Sequence, residues 1–539
     1  MPRRRTLSGA TLERLLALPT DEAEMIRHYT LGPEDRVLIR RCRRDHNRFG
    51  FALQLCALRY PGRAVRPGET VPLPVVRFLC EQLDIDPGAV AGYARRAPTR
   101  YEHLDTLRDT FGIRPFSRPH FDEMSAWLLP VALATTDPAA VAVALMAELR
   151  RRSLAAPARS TLARLVDIAM LEADREVARR LVAGLPSTTL ARLDTLLDIA
   201  PGRSVSALAW TRDVTETAST RNFVGLIERL EMLRAIDIDA SRLEGIHHGR
   251  IARLTQEGMR LTAQHLRTLS PQRRRALLVV AVLEARTRLT DATVATFDRL
   301  IGRLFRRAER RSAAQLQQDA KALNDKVRLL GDLGEALIEA HVAGADAFAA
   351  VAGVLPWADL ATAVAEARAL VRPDGPDHAR IAKDNHALVR RIGPVFLAAF
   401  RFRAVPAAAP VLQATERLAR FYVGDRRRLP TDMPRGFVPR RWRGAVVKEG
   451  TIDAPAYELC LLAELRDRLR AGDVWVEGSR QYRAVEDQLL PRALFGVMKT
   501  TGPLPLAVPE DGAIWLEARR EHLEARLAAV EAKAAADAL

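Results

Sequence analysis

Apolar residues recur along most of this chain at the three- and four-residue spacing that places them on one face of an α-helix. Aromatic residues make up only 5% of the chain, whereas alanine, leucine and arginine are abundant. This composition favours helices over sheets. The pattern therefore predicts a mainly α protein with several helical domains. A small β-hairpin is predicted near residues 445–478, where the short segments 445–447 and 473–478 are β-prone and lie near glycine.

Proline- and glycine-rich sites interrupt the helical pattern and predict domain boundaries near residues 150, 270 and 430. No uncharged run is long enough to span a membrane, and no apolar signal segment follows the basic amino terminus. The chain is therefore predicted to be cytoplasmic. None of the four cysteines forms a C-x-x-C pair, so we expect no metal site, and we expect Cys42, Cys56 and Cys80 to be structural thiols.

The net charge of +17 is concentrated in three stretches. Residues 1–118 hold 21 basic and 14 acidic residues, residues 241–311 hold 16 and 6, and residues 420–443 hold 8 and 2. The remainder of the chain is mildly acidic. A basic chain is attracted to DNA, RNA or acidic membrane surfaces, and localised basic patches are typical of a surface that follows a polyanion.

The most informative stretch covers residues 28–63 and contains the sequence HYTLGPEDRVLIRRCRRDHNRFGFALQLCALRYPGR. Gly32 and Pro33 have the residue types of a helix start. The helix that follows is expected to place apolar side chains on one face and arginines on the other. Gly50 is predicted to break this helix before a second one begins, and residues 60–63 are predicted to form a turn.

Two short helices joined at a glycine indicate a helix-turn-helix-like unit. Arginine, asparagine and glutamine side chains are the types that contact bases and phosphates. From the residues alone, a basic helix face exposed to solvent is an equally good interpretation. The candidate DNA-binding residues of this unit are Arg36, Arg40, Arg43, Arg44, Asn47, Arg48, Gln54, Arg59 and Arg63.

The same stretch resembles the opening domain of Tn-three-family transposases, whose pattern is close to YTLS-x-x-D followed by R-x-x-x-N-R-x-G-x-A-x-Q-L-x-x-L-R-Y-P-G-R. The matching residues are Tyr29, Thr30, Leu31, Asp35, Asn47, Arg48, Gly50, Ala52, Gln54, Leu55, Leu58, Arg59, Tyr60, Pro61, Gly62 and Arg63. Gly32 stands where the family usually has serine, and Phe49 where it usually has leucine. Both replacements keep the expected capping or apolar role.

A second match lies at residues 93–104, which resemble the family's Y-x-x-R-x-x-T-R-x-x-H-L. Thr99 and Glu102 have the spacing of a capping box, and Gly112 is predicted to end the helix. The start of this helix adds the candidate contacts Arg95, Arg96, Thr99 and Arg100. His103 borders the apolar face, and a structural role is favoured over a base contact.

Further basic segments lie in the middle and carboxyl-terminal parts of the chain. They provide possible additional DNA contacts at Arg273, Arg274, Arg275, Arg303, Arg306, Arg307, Arg310, Arg440, Arg441, Arg443 and Arg480. The first three follow a helix start, where their charge opposes the helix dipole, and this favours a polyanion partner. A solvated helix face is the alternative. Residues 464–482 resemble the family's L-R-x-x-L-x-x-G-D-V-W-V-x-G-S-x-x-Y, where Trp475 and Tyr482 are expected to be core anchors.

The resemblance implies four parts: an amino-terminal helical DNA-binding domain (1–150), a second one (151–270), a helical dimerisation or scaffold region (271–430) and a linker region (431–539). In the family, the linker precedes an RNase H-like domain whose carboxylate triad holds metal ions. No such triad is recognised in this sequence, so we expect no catalytic residue, no bound metal and no strand transfer from the chain alone. Mg²⁺ is expected only for the absent catalytic domain.

The resemblance thus implies a nucleoid-associated homodimer that binds the terminal inverted repeats of a transposon and assembles the transposition complex. Its expected partner is double-stranded DNA. The alternative is a helical protein–protein scaffold with non-specific DNA affinity. Whether the chain is an enzyme by itself stays open at this point.

Overall fold

A computed structural model describes residues 7–93, 97–215, 217–370, 377–424, 428–501 and 511–537. Most of these residues are helical, which confirms the mainly α prediction. The chain forms two compact units, and each is described by itself. Unit 1 comprises Met1–Thr215 and Glu228–Leu289, and unit 2 comprises Glu216–Ile227 and Thr290–Leu539. The four-part division by function stays a prediction.

Unit 1 is built from short and medium-length helices. They are α1 Gly9–Leu16, α2 Glu22–Tyr29, α3 Pro33–Arg40, α4 Asp45–Arg59, α5 Leu73–Leu83, α6 Ala97–Phe111, α7 Arg118–Leu133, α8 Pro138–Arg151, α9 Arg159–Val182, α10 Ser187–Thr195, α11 Ala207–Arg212, α13 His248–Arg260 and α14 Ala263–Arg267. Two further helices have residues in both units: α12 Thr220–Arg234 and the 73-residue α15 Pro271–Ala343.

Unit 2 adds further helices and two small sheets. The helices are α16 Ala347–Val354, α17 Trp357–Leu370, α18 His378–Ala399, α19 Ala409–Val423, α20 Arg443–Val446, α21 Ala454–Ala471, α22 Arg492–Thr501 and α23 Gly512–Asp537. The strands are β1 Phe402–Ala404, β2 Val447–Lys448, β3 Thr451–Ile452 and β4 Val474–Val476. Strand β1 pairs with β4, and β2 pairs with β3, in both cases antiparallel.

The predicted hairpin near residues 445–478 is therefore wrong in its pairing. Both β-prone segments do contain strands, but β2 forms a tight hairpin with β3, whereas β4 pairs with β1, about seventy residues earlier in the chain. Gly450 turns the short hairpin with a φ of 80°, and helix α21 then separates β3 from β4. Short strands carry too little pattern to identify a distant partner.

Two hydrophobic clusters form the core of the first 173 residues. One gathers buried residues from α2 to α6, and it includes Tyr29, Ile39 and most of α4. The other joins α1 to α7, α8 and α9, and it continues across residue 150. In α4 every residue from Phe49 to Leu58 is buried, because neighbouring helices pack around it. Only the first turn of α4 and Arg59 at its end are left partly accessible.

The helix break in this region lies at residues 41–44, not at Gly50 as predicted from the sequence. Gly50 lies inside α4 because the Tyr93 ring packs directly on its backbone, so that a Cβ there would come within 1.9 Å of a ring carbon. Glycine is therefore needed at this position because any side chain would collide with the Tyr93 ring. The predicted start of α3 is confirmed: Gly32 is the N-cap, Pro33 follows it, and the Asp35 carboxylate accepts the Gly32 N–H at 2.8 Å.

The sequence motif at residues 464–482 is explained by the packing of unit 2. Helix α21 ends at Gly472, whose φ is 79°, and strand β4 follows. The loop after β4 is anchored on Asp291 of α15: this carboxylate accepts hydrogen bonds from the Ser479 hydroxyl and from the backbone N–H groups of Arg480 and Gln481. The motif therefore secures a loop to the long helix.

Among the described residues, no single helix is both long and apolar enough to cross a membrane. Helices α16 and α17 reach that length and composition only as a pair, and they are bent by 74° relative to each other.

Candidate nucleic-acid interface

The turn between α3 and α4 presents an unusual concentration of positive charge. Arg40, Arg41, Arg43 and Arg44, here called the turn arginines, are all exposed. Within the described part of the chain, none of their guanidinium groups forms an ion pair or a hydrogen bond. Four cations that share one short turn repel each other, and this repulsion is relieved when a polyanion binds.

The backbone of this turn is held by the helices on either side. Ile39, which is only 1% exposed, anchors the end of α3 in the core. The backbone N–H of Cys42 donates to the Ile39 carbonyl at 3.0 Å, and the Arg48 Nε donates to the Cys42 carbonyl at 2.9 Å. The turn arginines thus project from a defined loop attached to a buried helix. Such preorganisation lowers the entropic cost of binding.

The first turn of α4 extends this surface. Asn47 and Arg48 are half-buried there, and Arg48 also contacts Asp45 at 3.3 Å. Because α4 is buried from Phe49 to Leu58 and Arg59 is paired with Asp35, only this first turn could approach DNA. The helix-turn-helix character of the unit stays a prediction: two helices and a four-residue turn are present, but the second helix exposes no full face.

Arg59 is one of the predicted contacts that the fold uses internally. Its guanidinium forms a two-pronged ion pair with Asp35, whose side chain is only 6% exposed. Burial raises the pKa of the Asp35 carboxyl, but the hydrogen bonds from Arg59 and from the Gly32 N–H outweigh this effect and hold it below its usual range. This pair ties the end of α4 to the start of α3.

Arg63 and Gln54 also have partners within the fold. Arg63 forms a two-pronged ion pair with Glu69 and donates to the Leu16 carbonyl, which leaves its side chain 11% exposed. Gln54 is 1% exposed and exchanges two hydrogen bonds with the backbone of Val65, at 2.9 and 3.2 Å. These side chains fix the path of the chain after the turn at residues 60–63.

Arg36 and Arg100 donate to backbone carbonyls, of Gln82 and Val65 respectively, and both are half-buried. Thr99 lies inside the first turn of α6, which begins at Ala97, so the predicted helix start at Thr99 is two residues late. The predicted end at Gly112 is confirmed, with a φ of 62°. Arg95 and Arg96 lie outside the described residues.

His103 is buried, as the structural interpretation predicted. It is 9% exposed, its Nε2 lies 3.8 Å from the Cys42 sulfur, and its ring stacks with Tyr93. Burial lowers the pKa of His103 and keeps the ring neutral. Cys42 is half-buried, and Cys56 and Cys80 are buried; all three are free thiols.

The basic run at the start of α15 contrasts with the turn arginines. Arg273 pairs with Glu257 of α13 at 2.8 Å, and Arg274 and Arg275 both pair with Asp194 of α10, at 3.3 and 2.7 Å. These acids compensate for the unfavourable placement of arginines at a helix amino terminus. Glu257 and Asp194 are therefore sufficient to explain why three arginines occur at this helix start, without a bound external anion.

The predicted contacts in unit 2 are also of two kinds: some have partners within the fold, and others are exposed without a partner in the described residues. Arg303 donates to the Ala218 carbonyl, Arg441 pairs with Glu464 at 3.2 Å, and Arg480 lies in the loop anchored on Asp291. Among the predicted contacts of unit 2, the exposed guanidinium groups without a partner in the described residues are those of Arg306, Arg307, Arg310, Arg440 and Arg443. Trp442, which is 1% exposed, packs against Phe305, the residue before Arg306 on α15, and this contact brings residues 440–443 to the long helix.

Known proteins align with this chain along its whole length, and one family model matches its amino-terminal part. A family model described as a domain of unknown function (DUF4158) matches residues 6–169. All 539 residues align with the transposase for transposon Tn3926 of Escherichia coli at 39% identity, covering 54% of that protein. The transposase for transposon Tn501 of Pseudomonas aeruginosa is 38% identical over 530 residues, 98% of this chain and 54% of that protein. The chain is homologous to Tn-three-family transposases over its whole length.

More distant homology extends to the transposase for transposon Tn1546 of Enterococcus faecium, which is 28% identical over 494 residues, 90% of this chain and 50% of that protein. The chain thus spans about half the length of the curated relatives it matches. The segment matched by the family model contains all the turn arginines and the ion pairs of Arg59 and Arg63.

Arg41 is the one turn arginine that the sequence pattern does not predict as a contact. A single continuous helix from residue 36 to residue 47 would place it away from the basic face. The structure ends α3 at Arg40, so Arg41 joins its neighbours in the turn. The signal that could have identified it is the run RRCRR itself, because four arginines in five residues are hard to accommodate on one helix face.

Proposed function

We propose that this chain is the DNA-recognition and assembly part of a replicative transposase, corresponding to the amino-terminal half of its relatives. It binds the terminal inverted repeats of its transposon in a sequence-specific manner and brings them into the transposition complex. The observation that carries the DNA contact is the set of turn arginines, which have no anionic partner in the described residues. The homology along the whole chain supports the role in transposition.

The turn arginines supply the main electrostatic contact in this proposal. Each guanidinium that neutralises a phosphate releases a condensed counterion, so the affinity falls steeply with salt concentration. Asn47, on the accessible first turn of α4, is the amide side chain best placed to contact a base edge. Arg59, Arg63, Gln54 and Arg273–Arg275 are assigned to the fold, because their polar groups already have partners.

The exposed arginines beside Trp442 supply a secondary contact in unit 2. Arg306, Arg307 and Arg310 follow one another along α15, and Arg440 and Arg443 flank the tryptophan that packs on the same helix. A cationic surface assembled from two distant segments can follow a phosphate backbone without reading sequence. The proposal places the chain in the cytoplasm, where the transposon ends are.

Catalysis lies outside the role proposed for this chain. Among the residues that the structure describes, no group of three histidine, cysteine, aspartate or glutamate side chains is placed to hold a metal ion. The expectation that strand transfer and Mg²⁺ belong to a separate catalytic domain stays a prediction.

The proposal is tested by fluorescence anisotropy on two labelled duplexes of equal length, the terminal repeat of the element that encodes the chain and a scrambled version of it. We expect submicromolar affinity for the repeat, a markedly weaker affinity for the scrambled duplex, and a linear fall of log affinity with log salt. Equal affinities would contradict sequence-specific recognition. No binding to either duplex at physiological salt would favour the protein scaffold instead.

A further inference from the structure

The turn between α3 and α4 is held at one residue, Cys42, by contacts from three helices. The backbone N–H of Cys42 donates to the Ile39 carbonyl of α3 at 3.0 Å. Its sulfur lies 3.8 Å from the His103 Nε2 of α6. Its carbonyl accepts a hydrogen bond from the Arg48 Nε of α4 at 2.9 Å. Because Cys42 lies in the middle of the turn arginines, the contacts that fix Cys42 also fix the backbone that carries them.

The contact made by Arg48 differs from the other two because it closes the turn. The Arg48 side chain begins on the first turn of α4 and reaches back to the carbonyl of a residue six positions earlier. The segment that it closes contains Arg43 and Arg44. A hydrogen bond across a short loop restricts the conformational freedom of the backbone within that loop. Arg48 therefore restrains the part of the turn that lies farthest from α3.

The guanidinium group of Arg48 is directed at the protein. Its Nη1 lies 3.3 Å from an Asp45 carboxylate oxygen, and its side chain is 39% exposed. The turn arginines, in contrast, are fully exposed and have no such partner in the described residues. A guanidinium that already faces a carboxylate and a carbonyl has fewer N–H groups to offer a phosphate. The sequence predicts Arg48 as a DNA contact, whereas its hydrogen bonds favour a different role.

We propose that Arg48 is a positioning residue for the DNA contact: its Nε–H holds the Cys42 carbonyl, so that the turn arginines meet the phosphate backbone in one arrangement. Arg48 has this role only if the turn arginines bind phosphate, so the inference rests on the proposed function. A turn that is ordered before binding loses less entropy when DNA binds, and the affinity rises without a contact by Arg48 itself. Loss of the hydrogen bond should therefore weaken binding but leave the number of neutralised phosphates unchanged.

Two substitutions separate the hydrogen bond of Arg48 from its charge. Arg48→Gln removes the charge but keeps an N–H donor, because the glutamine Nε2 is as many bonds from the backbone as the arginine Nε. Arg48→Lys keeps the charge but has a CH₂ group at that place. In anisotropy titrations of the full chain, Arg48→Gln should bind the terminal repeat about as tightly as the wild type, and Arg48→Lys roughly tenfold more weakly. Both should keep the wild-type slope of log affinity against log salt.

The matched control applies the same two substitutions to Arg43, one of the turn arginines. Charge decides the outcome there, so Arg43→Lys should bind nearly as tightly as the wild type. Arg43→Gln should bind more weakly and show a shallower salt slope. If the Arg48 variants follow this same order, with lysine better than glutamine, Arg48 contacts phosphate directly and the inference is overturned. Equal weakening by both Arg48 variants would overturn it as well.

Limited digestion with trypsin tests the hydrogen bond without DNA. Trypsin cleaves after arginine, and it cuts a folded chain only where the backbone opens locally. With cleavage at residues 40–44 followed by mass spectrometry, Arg48→Lys should be cut there roughly tenfold faster than the wild type, and Arg48→Gln at nearly the wild-type rate. Equal rates in all three chains would overturn the inference even if the wild type binds the terminal repeat. If the rates differ as expected but the wild type binds no DNA, the proposed function fails, and the positioning role fails with it.

Discussion

Two arginine runs that look alike in the sequence are paired differently in the structure. The turn arginines at residues 40–44 have no partner in the described residues, whereas Arg273, Arg274 and Arg275 are paired with Glu257 and Asp194. Both runs raise the local net charge, and both are candidates for DNA contact on sequence grounds. Only the first leaves guanidinium groups available to a phosphate. A basic run therefore indicates a DNA surface only when the fold supplies no acid to neutralise it.

Most residues of the family motif differ from the turn arginines in the same respect, because they have partners within the fold. The residues that carry the family resemblance, such as Arg59, Gln54 and Tyr29, make contacts inside unit 1. Arg40 and Arg41 lie between the two halves of that motif, and Arg43 is the arginine with which the second half begins. The motif thus consists mostly of the scaffold that presents the candidate interface, and it shares Arg43, Asn47 and Arg48 with that interface.

The largest expected effect comes from Arg40→Ala, Arg43→Ala and Arg44→Ala combined. Each substitution removes one phosphate contact, which should lower the affinity about tenfold. The affinity of the triple variant for the terminal repeat should therefore fall roughly 1,000-fold. The slope of log affinity against log salt should become shallower by about 0.9 for each phosphate that is no longer neutralised. Anisotropy titrations at several salt concentrations measure both. An unchanged slope would show that the turn does not contact phosphate.

Arg59→Ala should act on folding instead of binding. It leaves the Asp35 carboxylate, 6% exposed, with only the Gly32 N–H as partner, which should cost about 3 kcal/mol of stability. Urea unfolding measures this loss, and Arg43→Ala provides a control that should leave stability unchanged. If Arg59→Ala keeps full stability but loses affinity for DNA, Arg59 contacts DNA and its assignment to the fold is wrong.

The variant with Arg273, Arg274 and Arg275 all replaced by alanine sharpens the comparison, because it removes as much charge as the triple variant in the turn. We expect stability to fall by about 2 kcal/mol, since three partly exposed ion pairs are lost. DNA affinity should stay near that of the wild type. If both triple variants weaken binding equally, net charge governs affinity and the turn has no special role.

The smallest effect is expected in the acid range. Because the pKa of Asp35 is lower in the folded chain than its unfolded value of about 3.9, its ion pair stabilises the fold fully above that value. This contribution is lost as the pH falls through the folded pKa. Asp35→Asn should therefore flatten the fall in melting temperature at low pH. A melting curve series from neutral to acid pH, with wild type and variant in parallel, measures the difference.

Much of the local structure follows from the sequence alone. The helix start at Gly32 and Pro33 and the helix end at Gly112 follow from the chemistry of neighbouring residues. Such signals lie within a few residues of one another, so no tertiary contact is needed to recognise them. The homology to transposases is likewise carried by the residue order.

Only the tertiary structure decided which polar side chains are available. Asp35 and Arg59 are 24 residues apart, Asp194 and Arg275 are 81 apart, and Asp291 and Ser479 are 188 apart. Gly50 packs against Tyr93 inside α4, and the helix break lies at residues 41–44 instead. An ion pair depends on distance in space, and a linear pattern of charges contains no such distance. The sequence by itself determined where this chain is basic, and the fold determined which of those arginines remain free within its described part.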